Sequence, residues 1–181
     1  VYTVTDSRLA LFDDERYACV LTDLVLRHKP HIFLGGATAV GRALLPRVAI
    51  MAGTGLTADC TELTVDAKTG LLQQTRPAFG GNILATIVCE NRRPQMATVR
   101  PGVRPLREPD RSRDGEIVKC CMPEAATRSR TETISFVPSS TGDADLREAD
   151  VIVAAGYGAG GKDGVALVRD LAAAMGGVLG A

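Results

Sequence analysis

Apolar and polar residues alternate in short stretches along this chain, and the period changes several times. Val1-Tyr2-Thr3-Val4 is β-branched and alternating, which predicts a strand. Asp13 or Asp14 is placed to cap a helix whose apolar residues Tyr17, Val20, Leu21, Leu24 and Val25 recur at helical spacing. Arg27, His28 and Lys29 complement the helix C-terminus, and Pro30 stops it. His31-Ile32-Phe33-Leu34 reads as a buried strand running into the small-residue loop 35–42, with a second helix from Arg42 to about Ala52. Strand, helix, strand, loop, helix is the order of a parallel sheet with crossover helices.

The period then shortens. Leu63 to Val65, Leu71 to Thr75, Ile83 to Cys89 and Ala97 to Val99 read as neighbouring, mostly antiparallel strands, with a turn at Asp66-Ala67-Lys68-Thr69-Gly70. Residues 100–115, rich in Arg, Pro and Asp, read as an exposed loop. Glu116 to Cys121 and Thr131 to Val137 are two further strand candidates. Pro138 to Asp145 has a linker composition, and beyond a lead-in at 146–149 the α/β pattern returns. Val151 to Ala155 is a buried strand, 156–161 a glycine-rich loop, and Asp163 to Met175 a helix. The apolar face of that helix carries Val165, Leu167, Val168, Leu171, Ala172 and Met175. Gly176-Gly177 ends it and Val178-Leu179 opens a new strand. The expected organisation is an N-terminal α/β domain over 1–137, a linker at 138–145 and the start of a second domain over 146–181. One βα unit is too small for a domain, so the natural protein is expected to continue past Ala181, and the missing start Met and the opening in mid-strand lead to the expectation that it also begins before Val1.

Composition narrows the function classes. Among 181 residues, 21 basic side chains balance 21 acidic ones, which gives no general electrostatic reason to bind nucleic acid or an acidic membrane. The basic stretch Arg92, Arg93, Arg100, Arg104, Arg107, Arg111 and Arg113 is interleaved with acids and reads as a solvated loop. No apolar run approaches the roughly 20 residues that span a bilayer. The five cysteines, Cys19, Cys60, Cys89, Cys120 and Cys121, are odd in number and lack C-x-x-C spacing, so they point to neither a disulfide framework nor a zinc site. Free thiols suit a reducing compartment, and a cytoplasmic location is expected. His28 and His31, the only histidines, read as surface groups, and no metal site is expected. With two histidines and no paired carboxylates that stand out, no catalytic side chain is assigned.

Three loops are candidate binding elements. Gly156, Gly158 and Gly161 fit G-x-G-x-x-G, where glycines let backbone N–H groups approach a phosphate at a helix N-terminus. A close-packed βα turn explains the same residues equally well. The loop 35–42 sits where a phosphate loop would but lacks the Gly-Lys-Ser/Thr ending. It reads first as a tight turn with Arg42 in a surface ion pair, and second as an anion or flavin-edge contact through Thr38 and Arg42. The polar stretch Thr54 to Thr61 suits capping and turn hydrogen bonds or the shaping of a site. In Arg76-Pro77-Ala78-Phe79-Gly80-Gly81-Asn82, two glycines allow close backbone approach and Arg76 supplies a fixed cation with forked donors. Such a donor can hydrogen-bond a redox ring and stabilise its anionic reduced form; an exposed arginine on a β-turn is the plainer alternative.

Taken together, several stretches resemble the alpha subunit of electron-transfer flavoproteins. They are Gly36-Ala37-Thr38-x-x-Gly41-Arg42, Pro46-Arg47-Val48-Ala49, Thr54 to Thr61, Thr75 to Asn82 and Arg93-Pro94-Gln95-Met96-Ala97-Thr98-Val99-Arg100-Pro101-Gly102. Leu146-x-Glu148-Ala149-Asp150-Val151-Ile152-Val153 with the following glycine loop resembles the opening of that family's FAD domain. The matches run in order along the chain, and the forms at 76–82 and 93–101 are closer to the electron-bifurcating members.

The resemblance implies a nucleotide-binding-like parallel sheet with helices and an antiparallel extension, followed by the first βα unit of a Rossmann-like FAD domain. It implies a heterodimer with a beta subunit that carries electrons through FAD between dehydrogenases and acceptors. In bifurcating members NADH is oxidised and its electrons divide between an acyl-CoA dehydrogenase and ferredoxin or flavodoxin. Carried onto this chain, Arg76, with Gly80, Gly81 and Asn82, is expected nearest a flavin held mostly by the beta subunit. Thr38 and Arg42 are supporting contacts, and Gly156, Gly158 and Gly161 shape the mouth of the FAD domain. Tyr157 stands where the family commonly has Arg or Lys. The main FAD contacts are expected beyond Ala181. Two other readings are a docking subunit that touches no cofactor and a fragment of a nicotinamide-dependent dehydrogenase.

Overall fold

The computed structural model describes residues 1–137, 146 and 149–180. The chain forms two compact units, Val1–Phe136 and Val137–Ala181. The linker expected at 138–145 lies outside the described residues, as does part of the lead-in at 146–149.

The first unit opens with strand β1 (Tyr2–Val4) and helix α1 (Asp14–His28). Asp13 caps α1 by accepting from the backbone N–H groups of Glu15 and Arg16 at 3.0 Å each. Lys29, in the left-handed region at φ 45°, closes the helix before Pro30. Strand β2 (Ile32–Gly36) leads into helix α2 (Ala39–Met51). α2 begins three residues earlier than the sequence predicts, because the Thr38 hydroxyl accepts from Gly41 N at 3.2 Å and starts the helix there.

Strands β3 (Leu56–Cys60), β4 (Glu62–Val65), β5 (Leu72–Ala78), β6 (Ile83–Ile87), β7 (Gln95–Val99) and β8 (Val118–Cys120) complete the unit. The polar stretch at 54–61 is therefore mostly a strand. The expected run of mostly antiparallel strands holds only for β4-β5-β6, joined by a turn in which Asp66 Oδ1 accepts from Lys68 N and Thr69 N. β7 leaves that run and lies parallel between β2 and β3. β1 pairs with β8 in parallel. Thr131 to Val137 is not a strand: no strand partner pairs with it among the described residues, and its start is tied instead to α1, where Glu15 accepts from Arg130 N and Nε at 2.8 Å each.

The core lies between the two helices and the β2-β7-β3 sheet. Ala18 and Val25 of α1 and Leu44, Leu45, Val48 and Ala49 of α2 are buried with Met96 at the centre of β7, and Phe33 and Leu56 pack against them. Arg47 adds a 2.9 Å ion pair from α2 to Asp14 at the start of α1.

The second unit contains β9 (Ile152–Ala154), helix α3 (Lys162–Ala174) and β10 (Val178–Gly180), with β9 and β10 parallel. Of the six apolar residues expected to form the covered face of α3, Ala172 alone is buried, and Leu167, Leu171 and Met175 are exposed.

Candidate functional site

Three parallel strands end together at one edge of the first unit. Gly36 of β2, Val99 of β7 and Cys60 of β3 are neighbours in register, so the loops that follow them share this carboxyl edge. In open α/β sheets the carboxyl edge is the usual place for a ligand. The N-terminus of α2 rises from it. Gly41 makes this possible: a Cβ built on it would lie 1.9 Å from the Gly36 carbonyl oxygen, so only glycine lets the first turn pack this close to β2.

Asp59 is the centre of the edge. The β3–β7 register shifts between Thr57 and Cys60, and Asp59 takes a left-handed φ of 60° within that irregularity. Its backbone N–H donates to Thr98 Oγ1 at 2.8 Å, which holds the kink in place. Its carboxylate accepts two bonds from Arg100, Nε to Oδ1 at 3.2 Å and Nη2 to Oδ2 at 2.7 Å. Arg42 Nη2 lies 3.5 Å from Oδ1, while Arg42 Nε donates to the Ala37 carbonyl at 3.0 Å.

The hydrogen bond from Arg100 holds the Asp59 carboxyl below the usual carboxylate range, helped by the charges of Arg100, Arg42 and Arg76. A carboxylate depressed in the folded state stabilises the fold above its unfolded pKa of about 3.9 and loses that contribution as pH falls through the folded value. Urea midpoints should therefore place Asp59→Asn below the parent at neutral pH, with the gap closing below about pH 4. A gap that persists unchanged into acid would refute the ion-pair account of Asp59. The same edge holds Cys60, whose thiol is pushed up by burial.

Arg76 lies on β5, opposite Ala85 of β6, and is half-buried. Its Nε donates weakly to the Pro77 carbonyl at 3.4 Å, and it forms no ion pair among the described residues. Its guanidinium therefore keeps free donors. The turn that follows, Phe79–Gly81, brings Gly80 and Gly81 into the left-handed region at φ 74° and 92°, with open space around both and Asn82 exposed beside them. A cation with uncommitted donors beside an open glycine turn fits the polar edge of a flavin ring.

The sequence-predicted residues thus fall into separate groups. Thr38 and Arg42 are drawn together at the carboxyl edge, and Arg76 is close enough to act on Asp59 by its charge. Gly80, Gly81 and Asn82 follow Arg76 at the β5–β6 connection. Gly156, Gly158 and Gly161 belong to the second unit. There, a 3-10 turn at Tyr157–Ala159 leads to Gly161 at φ 97°, and no side chain caps α3. The close-packed glycine of that unit is one the motif does not contain. A Cβ on Gly164 would lie 1.5 Å from the Ala159 carbonyl oxygen, whereas Gly156 and Gly158 have open space. Sequence reasoning set Asp59 within the polar stretch 54–61 that could shape a site and read Arg100 as part of a solvated loop, but it did not bring the two together. Their pairing across 41 residues leaves no local pattern, and the lone acid between Leu56 and Cys60 was the available signal.

The first unit is thus a parallel α/β layer with arginines and a helix N-terminus at its carboxyl edge, carrying an antiparallel extension. The electron transfer flavoprotein domain model matches residues 1–124, and the chain belongs to that family. Over 181 residues, all of this chain, it is 46% identical to the electron transfer flavoprotein subunit alpha of Thermoanaerobacterium thermosaccharolyticum, covering 54% of that protein. It is 45% identical to the subunit alpha of Clostridium acetobutylicum, again over the whole chain and 54% of the relative. Protein FixB of Azorhizobium caulinodans is 46% identical over 97% of this chain and 47% of its own length. The chain thus spans about half the length of the curated relatives it matches. No helix among the described residues is long and apolar enough to cross a membrane.

Proposed function

We propose that the chain is part of an electron transfer flavoprotein alpha subunit, which pairs with a beta subunit and carries electrons through FAD in the cytoplasm. The observation that carries this reading is the match to alpha-subunit relatives from the first residue to the last. FAD, when bound, accepts and passes on electrons; the residues of this chain position and polarise it. In this reading Arg76 donates to the edge of a flavin held mostly by the beta subunit, and Gly80, Gly81 and Asn82 leave room for its approach. Thr38 fixes the first turn of α2 and so holds Arg42 near the same edge. Gly156, Gly158 and Gly161 shape the mouth of the FAD domain, where the uncapped start of α3 offers backbone N–H groups to a phosphate.

The forms at 76–82 and 93–101 favour the bifurcating type. Such a protein takes electrons from NADH and passes them to an acyl-CoA dehydrogenase and to ferredoxin or flavodoxin. Co-purification of the full-length protein with its beta subunit tests the reading. The complex should show flavin absorbance that NADH bleaches without oxygen. A colourless complex would overturn the flavoprotein reading, and flavin bands that NADH leaves untouched would overturn the choice of donor.

A further inference from the structure

The carboxyl edge of β2-β7-β3 holds more positive charge than its own acid can neutralise. Among the described residues Asp59 pairs with both Arg100 and Arg42, so two guanidinium groups share one carboxylate. The surplus of these three groups is one positive charge. Both directly paired arginines keep donors in reserve. Arg100 spends Nε and Nη2 on Asp59, and Arg42 spends Nε on Ala37 and Nη2 on Asp59. Among the described residues, Nη1 of each has no hydrogen-bond partner. Both side chains remain open to solvent, with relative exposures of 62% for Arg42 and 45% for Arg100.

The backbone shows that the arrangement is held in place. A left-handed φ at a non-glycine residue is costly, and Asp59 keeps one inside a strand irregularity pinned by Thr98. Arg42 is fixed in turn by the Ala37 carbonyl and by the first turn of α2. A single exposed ion pair would not need this support, since such pairs contribute little.

We infer that this edge is an anion seat, in which Asp59 orients Arg42 and Arg100 to take a phosphate group through their spare Nη1 donors. A phosphate matches the site for two reasons. Its negative charge meets the surplus, and its tetrahedral oxygens accept from the Nη1 donors of both arginines at once. The seat lies at the end of parallel strands beside a helix N-terminus, where fixed backbone dipoles add to the attraction. This inference does not rest on the electron-transfer reading. A phosphate would seat here whether or not Arg76 faces a flavin.

Calorimetric titration of the full-length protein, purified with any subunit that accompanies it, tests the seat. The probes are inorganic phosphate and ADP. Phosphate should bind the parent, and Arg42→Gln and Arg100→Gln should each weaken it at least about tenfold. Arg104→Gln, whose guanidinium bonds the Leu63 carbonyl outside the cluster, should leave it unchanged. Parallel weakening of ADP would assign the seat to the diphosphate of a nucleotide. Weakening of phosphate with ADP unaffected would assign it to free phosphate. Absent phosphate binding, or equal binding by parent and Gln variants, would overturn the seat. Where thermal unfolding shows that a Gln variant has lost its fold, Arg100→Lys decides. It keeps the charge but cannot both bridge Asp59 and reach the anion, so weakened binding supports the seat and unchanged binding overturns it.

Discussion

Replacing Gly41 by Ala should destabilise the first unit by about 3 kcal/mol, although alanine is the better helix former. The added Cβ would lie 1.9 Å from the Gly36 carbonyl oxygen, and that oxygen is backbone at the end of β2. A flexible side chain could move aside at little cost, but here α2 itself must lift from the sheet. That movement would loosen Leu44, Leu45 and Val48, which are buried against Met96. It would also shift Thr38 and Arg42 away from the carboxyl edge. For a chain of this size the melting temperature should fall by roughly 6–12 °C. Gly158→Ala provides the contrast. Gly158 has open space and needs no left-handed backbone, so its change should stay within roughly 0.5 kcal/mol of neutral. Thermal unfolding of the two variants checks both values. Equal stability would mean that helix propensity, not close packing, governs the start of α2.

The contrast between these glycines shows how far the sequence could be read. Local patterns were legible where a cap or a period fixes the element. Asp13 caps α1, Pro30 follows its end, and Tyr17, Leu21 and Val25 of its apolar stripe pack in the core. The α/β class was legible for the same reason. β3 was not, because Thr57, Ala58 and Asp59 lack the apolar run expected of a buried strand. The backbone N–H and carboxylate of Asp59 are satisfied by Thr98 and Arg100, which lie about 40 positions away. The parallel order β2-β7-β3 depends on the same long-range pairing, so β7 read locally as one more antiparallel neighbour. Thr131 to Val137 shows the opposite error. Its β-branched and aromatic residues favour a strand, but propensity is realised only against a partner, and Ile134, Phe136 and Val137 lie exposed. In the glycine loop the motif directed attention to residues that could approach a phosphate. The glycine required by packing, Gly164, became visible only when the Ala159 carbonyl was seen against the helix.

Arg76 carries the second large expectation. It forms no ion pair among the described residues, and it precedes a turn whose two left-handed glycines have open space around them. A cation that donates to a flavin favours the reduced, anionic form over the neutral oxidised form. A hydrogen bond to a charged group is worth about 1.5–3 kcal/mol, which for a one-electron step corresponds to roughly 60–130 mV. Arg76→Ala should therefore lower the reduction potential of one flavin by about that amount. Arg76→Lys keeps the charge without the fork and should lie between the two. The most direct test is a reductive titration of the full-length protein with its beta subunit, comparing parent, Arg76→Lys and Arg76→Ala at equal flavin content. A graded fall in one flavin potential is the expected result, and potentials that coincide across all three proteins would contradict the placement of this chain beside a flavin.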